Sequence, residues 1–155
     1  MKVLFLDVDG VLNSKLWCEY NDELIDSGKV SLLKTIIDNT NAKIVLSSTW
    51  RELDCDIKEC KEMYQYLVDS LAEKGLQIYD KTYLKGCNRP KEIKDWLSKN
   101  NASNFVSLDD DFNLKNYEEY GIGNHLVSTS FWGKNGGLQD SHVKEAIRIL
   151  NNSSI

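Results

Sequence analysis

The chain has little that punctuates a fold and little that binds a soft metal. Its 155 residues hold one proline (Pro90), two histidines (His125 and His142) and four cysteines (Cys18, Cys55, Cys60 and Cys87). The cysteines form no C-x-x-C pair and have no histidine at zinc spacing, so they read as reduced thiols. Neither histidine falls in a polar cluster, and both read as surface or strand-edge positions. No linker or repeat stands out, and at this length residues 1–155 read as a single domain able to bury a real core. No apolar run is long enough to span a bilayer, and Met1 leads into the first apolar segment without a signal-peptide pattern. A cytoplasmic protein with no membrane contact is therefore expected. Positive charge is in the minority: the net charge is −5. That argues against a general polyanion-binding surface, though not against a local basic patch. Hydrophobic residues at 41% and charged residues at 28% are ordinary for a soluble globular protein.

What the chain does have is KVLFLDVDGVLN at residues 2–13. Residues 2–6 read as a short strand covered on both faces, broken abruptly by Asp7, Asp9 and Gly10. Two carboxylates next to a core strand are costly unless a cation or hydrogen-bond donors compensate them. A calcium loop would continue with further oxygen ligands and a distal Glu, whereas this one continues Val-Leu-Asn.

Further along, residues 13–27 read as a loop with a short helical turn, and Val30, Leu33, Ile36 and Ile37 recur at helical spacing over 29–39. Residues 43–47 form a second buried strand, followed by Ser48-Thr49-Trp50-Arg51. A helix over 57–74 carries Met63, Tyr64, Leu67, Leu71 and Ala72 on one face and ends at Gly75. Residues 76–79 read as a third strand. Pro90 opens a helix to about residue 99 with Ile93, Trp96 and Leu97 inward. Residues 105–108 form a strand that stops at Asp109-Asp110-Asp111, and Tyr117, Tyr120, Glu118 and Glu119 read as a solvated face. A last strand over 125–127 precedes a final helix through Val143, Ile147 and Leu150. This alternation implies an α/β fold, a Rossmann-like three-layer sandwich with a mostly parallel central sheet. Three strands then end in polar clusters on one sheet edge, where such sheets bind ligands.

Clustered aspartates with a main-chain carbonyl supply hard oxygen ligands that suit Mg2+, and a site of that kind acts on phosphate. Hydroxyl and N–H groups at Ser48 and Thr49, with a cation from Arg89 or Lys91, would meet the remaining phosphate oxygens. Ser48 is either that group or a strand-end cap, with Ser47 as the alternative phosphate-facing residue. Arg51 is either a salt-bridge residue or a substrate contact. Trp50 either belongs to the core or borders the substrate.

DVDGV after an apolar strand, a Ser closing the second strand, a basic residue opening a later helix and an acidic pair closing the next strand resemble the four motifs of the haloacid dehalogenase (HAD) superfamily. SSTWR, RPKEIKDWL and LDDD are similar to small HAD-like domains associated with nucleic-acid repair proteins. The resemblance implies a Mg2+-dependent phosphatase. Asp7 would be the nucleophile that forms an aspartyl-phosphate, and Asp9 the group that protonates the leaving oxygen and then deprotonates water. Asp7, the Asp9 carbonyl and Asp109 would hold the metal, with Asp110 a ligand through water or an orienter. Of the two cations, Lys91 is the residue type usual in the family and is preferred over Arg89. Neither segment where a large cap is often inserted is long enough to hold one. An uncapped site implies a bulky phosphorylated substrate such as a nucleic-acid end or a phosphoprotein, or closure by a partner subunit in a homo-oligomer; the partner expected in general is a phosphorylated substrate, small molecule or nucleic-acid end. The alternative function is a metal- and phosphate-binding partner or regulatory module with weak turnover.

Overall fold

The computed structural model describes residues 1–83 and 86–152. Its centre is β1 (Lys2–Leu6), whose residues alternate between two cores, as a strand's period of two requires. Leu4 and Leu6 face one cluster, packed against α2 (Ser27–Thr40), α3 (Lys58–Ala72) and α6 (Asp140–Asn151) through Leu33, Leu67, Ala146 and Leu150. Val3 and Phe5 face the other, against α4 (Arg89–Lys99) and α5 (Leu114–Glu118) through Ile93, Trp96 and Tyr117. Phe5 meets the Trp96 and Phe105 rings edge-on, at 5.4 and 5.9 Å between centroids, an arrangement worth about 0.5–1.5 kcal/mol per pair beyond burial. Helices on both faces make the three layers of a Rossmann-like α/β fold.

The other strands are β2 (Lys43–Leu46), β3 (Ile78–Lys81), β4 (Asn104–Asp109) and β5 (Leu126–Ser128). They line up as β3-β2-β1-β4-β5, and each pairing is parallel, so the sheet is wholly and not mostly parallel. The order reverses between β1 and β4, which puts the ligand crevice of such sheets at the carboxyl ends of those two strands. A short helix α1 (Lys15–Tyr20) and a 3-10 turn, Thr49–Leu53, flank that edge.

Elements fall within about two residues of where the apolar spacing puts them. The third strand starts later than expected because Leu76 is already committed to the core as α3 turns out through Gly75, which takes φ +72°. Ala72 is exposed, so the inward face of α3 is carried by the buried Leu67 and Leu71 with Met63 and Tyr64 partly buried beside them. His125 stands at a strand edge as expected, stacked on Phe105 at 3.9 Å.

His142 has a structural role that the sequence reading missed. Its Nδ1 accepts the Gln139 N–H at 3.0 Å in the capping box that starts α6, so this nitrogen must be unprotonated. Partial burial and, second, the Lys29 charge hold its pKa below the ordinary 6.5. The unfolded chain therefore takes up a proton at a pH where the folded chain does not. The stabilisation is full above the unfolded pKa and is lost as pH falls through it toward the folded pKa. His142→Gln keeps an acceptor at the same helix position without titrating. Its urea midpoint should fall less than the wild type's between pH 7 and 5; parallel curves would contradict this role.

Candidate functional site

The register of the sheet builds the site. Leu6 lies beside Leu46 on one side and Leu108 on the other. The ladder continues one step, with Asp7 N donating to the Leu108 carbonyl at 3.1 Å and Ser47 N to the Leu6 carbonyl at 2.9 Å. Asp7, Ser47 and Asp109 thus share one row at the carboxyl ends of β1, β2 and β4. Ser128 extends it as the partner of Asp109.

Arg89, the first residue of α4, reaches into this row. Its Nη1 donates to Asp7 Oδ2 at 3.0 Å and to Asp109 Oδ1 at 2.8 Å, and all three side chains are buried. The start of α4 is fixed by Asn88, whose side chain accepts the Lys91 N–H, and by Pro90, whose preset φ suits a first turn. The Phe112 ring lies 5.1 Å from the guanidinium. Lys91, the preferred cation of the sequence reading, is exposed; the cation brought to the cluster is Arg89. The helical phase accounts for this: Arg89, Ile93 and Trp96 stand at i, i+4 and i+7, on the face that packs on the sheet, while Lys91 points about 200° away. That spacing was readable in the sequence.

Tyr117 overturns the expectation of a solvated face at residues 117–120. It is fully buried and its hydroxyl donates to Asp109 Oδ2 at 2.8 Å. With its proton so placed, it accepts from Ser107 Oγ at 2.7 Å. Burial first, then the Asp109 charge, push the phenol well above its ordinary pKa and keep it a neutral donor. The other oxygen of Asp109 also accepts the N–H groups of Asp111 and Phe112, at 2.9 and 3.2 Å. Tyr120 supports the cap of α4 by accepting from Asn88 Nδ2 at 2.8 Å. Only Glu118 and Glu119 face solvent as expected.

Asp7, Asp109 and Asp110 each offer a carboxylate oxygen within 4.8 Å of the others. One guanidinium does not neutralise three carboxylates. The pKa of Asp7 accordingly lies well above its ordinary value: burial raises it most, Arg89 opposes, and Asp109 and Asp110 add to the rise. Asp110 is raised too, chiefly by burial. A buried set of oxygens in which carboxylates outnumber the cation beside them has the charge deficit and the donor type that a hard divalent cation fills, and the residues present fit magnesium. Gly10 permits the approach: it takes φ +79°, and a Cβ there would run into the Asp110 carboxylate.

Asp9, expected in the metal set through its carbonyl, has its carboxylate outside this cluster. Its Oδ1 accepts from Asn13 Nδ2 at 2.9 Å and its Oδ2 from Trp50 Nε1 at 3.0 Å. Asn13, missed in the sequence reading, also accepts the Gly10 N–H at 2.9 Å and so ties the loop to itself. Thr129, missed as well, donates to the Gly10 carbonyl at 2.6 Å. In the second cluster, Ser48 Oγ accepts the Trp50 N–H as the cap of the 3-10 turn, and Thr49 is exposed. Ser47 Oγ is buried with no hydrogen-bond partner among the described residues. Arg51 is a buried salt-bridge residue, paired with Glu92 at 3.0 Å.

A family model described as the HAD domain in Swiss Army Knife RNA repair proteins matches residues 3–143, and the chain belongs to that family. No curated protein and no solved structure gives a match to it.

Two substitutions test the geometry apart from any activity. Gly10→Ala should cost about 1–3 kcal/mol for an alanine held in the left-handed region, with a further loss from displacing Asp110. Tyr117→Phe removes the only proton donor to Asp109 Oδ2 among the described residues and should cost about 1–3 kcal/mol. Urea unfolding reads both, and a wild-type midpoint for Tyr117→Phe would contradict the buried placement.

Proposed function

We propose that this HAD domain is a Mg2+-dependent phosphomonoesterase that works through an aspartyl-phosphate on Asp7. The observation that carries the reading is the separation of two carboxylates of one short loop into two environments. Asp7 is buried against Arg89 among further carboxylates, while Asp9 is exposed and held by two neutral donors. A nucleophile next to a cation and a proton-transfer group set apart from it are what two-step phosphoryl transfer needs.

Asp7, Asp109 and Asp110 are the residues that would hold magnesium. The ion would supply positive charge to the carboxylates and to phosphoryl oxygens, so that an anion can approach an anionic nucleophile. The chain's own residues do the rest. Arg89 holds Asp7 in place and offers guanidinium charge to the transferring group. An Asp7 oxygen forms the bond to phosphorus as the ester oxygen leaves, and Asp9 gives that oxygen a proton. Water then attacks phosphorus, Asp9 takes the water's proton, and the phosphorus–Asp7 bond breaks to release inorganic phosphate. Trp50 and Asn13 orient Asp9 for both transfers. The proton transfer that Asp9 supplies suits a phosphate ester rather than a carbon–halogen bond.

The substrate we infer is a phosphomonoester at a nucleic-acid end. The family's description as a domain of RNA repair proteins supports this. So does the small size of the elements around the site: between β1 and β2 lie only α1 and α2, and between β2 and α4 only the 3-10 turn, α3 and β3 among the described residues. That leaves no large cap over the sheet edge, and a bulky end has room to enter.

Hydrolysis of an aryl phosphate should require magnesium and fall about a thousandfold or more in Asp7→Asn. Asp9→Asn should lower kcat about 10²- to 10⁴-fold. Equal rates in wild type and Asp7→Asn would contradict the assignment. Independently of turnover, magnesium should raise the thermal midpoint of the wild type by mass action and leave that of Asp109→Asn unmoved. A shift of equal size in both would remove Asp109 from the metal set.

A further inference from the structure

The buried pair of Arg51 and Glu92 does not belong to the carboxylate cluster, and its geometry gives it a purpose. The two side chains are 5% and 2% exposed and meet at 3.0 Å. Desolvating two charges costs more than their attraction returns unless their remaining hydrogen-bonding capacity is met. Here the loop after β2 meets much of it: Arg51 Nη1 donates to the Ser47 carbonyl at 3.0 Å and to the Ser48 carbonyl at 3.1 Å, while Nε finds no hydrogen-bond acceptor among the described residues.

The peptides are trans, and in a trans peptide the carbonyl and the following N–H point in opposite directions. Aiming two successive carbonyls at one guanidinium therefore turns the N–H groups of Ser48 and Thr49 away from it. Neither N–H meets an acceptor among the described residues. Beside them Ser47 Oγ, wholly buried and in the row of Asp7 and Asp109, has no partner either. Two successive free N–H groups and a free hydroxyl make an anion-binding concavity. Glu92 follows Arg89 by three residues, one turn of α4, so the same ion pair links this concavity to the helix that delivers the cation.

We infer that Arg51, held by Glu92, is a positioning residue for the phosphoryl group: it fixes the loop at residues 47–49 with its donors presented in register with Arg89. Arg51 does not itself touch substrate, because its guanidinium is buried and engaged. The inference rests on the phosphatase reading above.

The test compares wild type with Arg51→Lys and Glu92→Gln by calorimetric titration of inorganic phosphate in magnesium buffer, steady-state aryl-phosphate kinetics and urea unfolding. A lysine keeps the charge but places its donors on one nitrogen, so it lacks the fork that spans the two carbonyls and the carboxylate from separate nitrogens. For Arg51→Lys the phosphate Kd and the KM should rise together about tenfold, the worth of one lost charge-assisted hydrogen bond, while kcat changes less. Glu92→Gln keeps the shape and one acceptor; it should show a smaller rise of the same kind and carries the test if Arg51→Lys does not fold. A merely structural pair would lower the urea midpoint and leave the phosphate Kd and KM at wild-type values, which overturns the inference and leaves the phosphatase reading intact. A wild type that neither binds phosphate nor hydrolyses the ester overturns both.

Discussion

The structure depends on one guanidinium placed between two buried carboxylates. Without Arg89, Asp7 and Asp109 would set like charges side by side at the ends of adjacent strands, buried and with no cation to balance them. With it, their charge is partly balanced and the third carboxylate, Asp110, still leaves a deficit. Burial first, and then the like charges behind that deficit, raise the pKa of Asp7 and Asp110. The deficit separates this cluster from an ordinary buried salt bridge, in which the charges close upon themselves.

Much of the surrounding architecture serves that placement. The central position of β1 gives Asp7 neighbours on both sides. The capped and proline-started α4 aims Arg89, with Asn88 bonded to Tyr120 behind it. Tyr117 saturates the far oxygen of Asp109. Trp50 crosses from the β2 loop to hold Asp9. Arg51 and Glu92 join that loop to α4, so the second cluster and the helix that carries Arg89 form one mechanical unit. Membership of the HAD family accounts for the order of the clusters along the chain, while the hydrogen bonds account for why each sits where it does.

The sequence revealed the fold because buried parallel strands are short apolar runs, and helices between them keep a 3.6-residue period. It pointed to Asp7, Asp109 and Asp110, which the structure brings together, because carboxylates directly after such strands are rare without a compensating ligand; Asp9, singled out with them, has its carboxylate on Asn13 and Trp50 instead. It left Ser47 and Ser48 open because neighbouring residues of a strand point to opposite faces, and the parity is set by pairing with β1, which no local pattern encodes. Tyr117 was lost for a related reason: a one-turn helix has too few residues to display a period, so its inward face is decided by β4 beneath it. Arg89 and Lys91 differ only in helical phase, and the phase was available from Ile93 and Trp96 once Arg89 was counted on their face.

The central claim is that Asp7, poised between Arg89 and the other carboxylates, takes up the phosphoryl group. The most direct measurement is acid quenching of the enzyme during turnover of a phosphomonoester with magnesium, followed by peptide mapping by mass spectrometry. The account predicts one phosphoryl group, acid-stable and alkali-labile as an acyl phosphate is, on the peptide that contains Asp7, and none in Asp7→Asn. Turnover that leaves this peptide unmodified, with a phosphoryl group found elsewhere or with water attacking the ester directly, would contradict it.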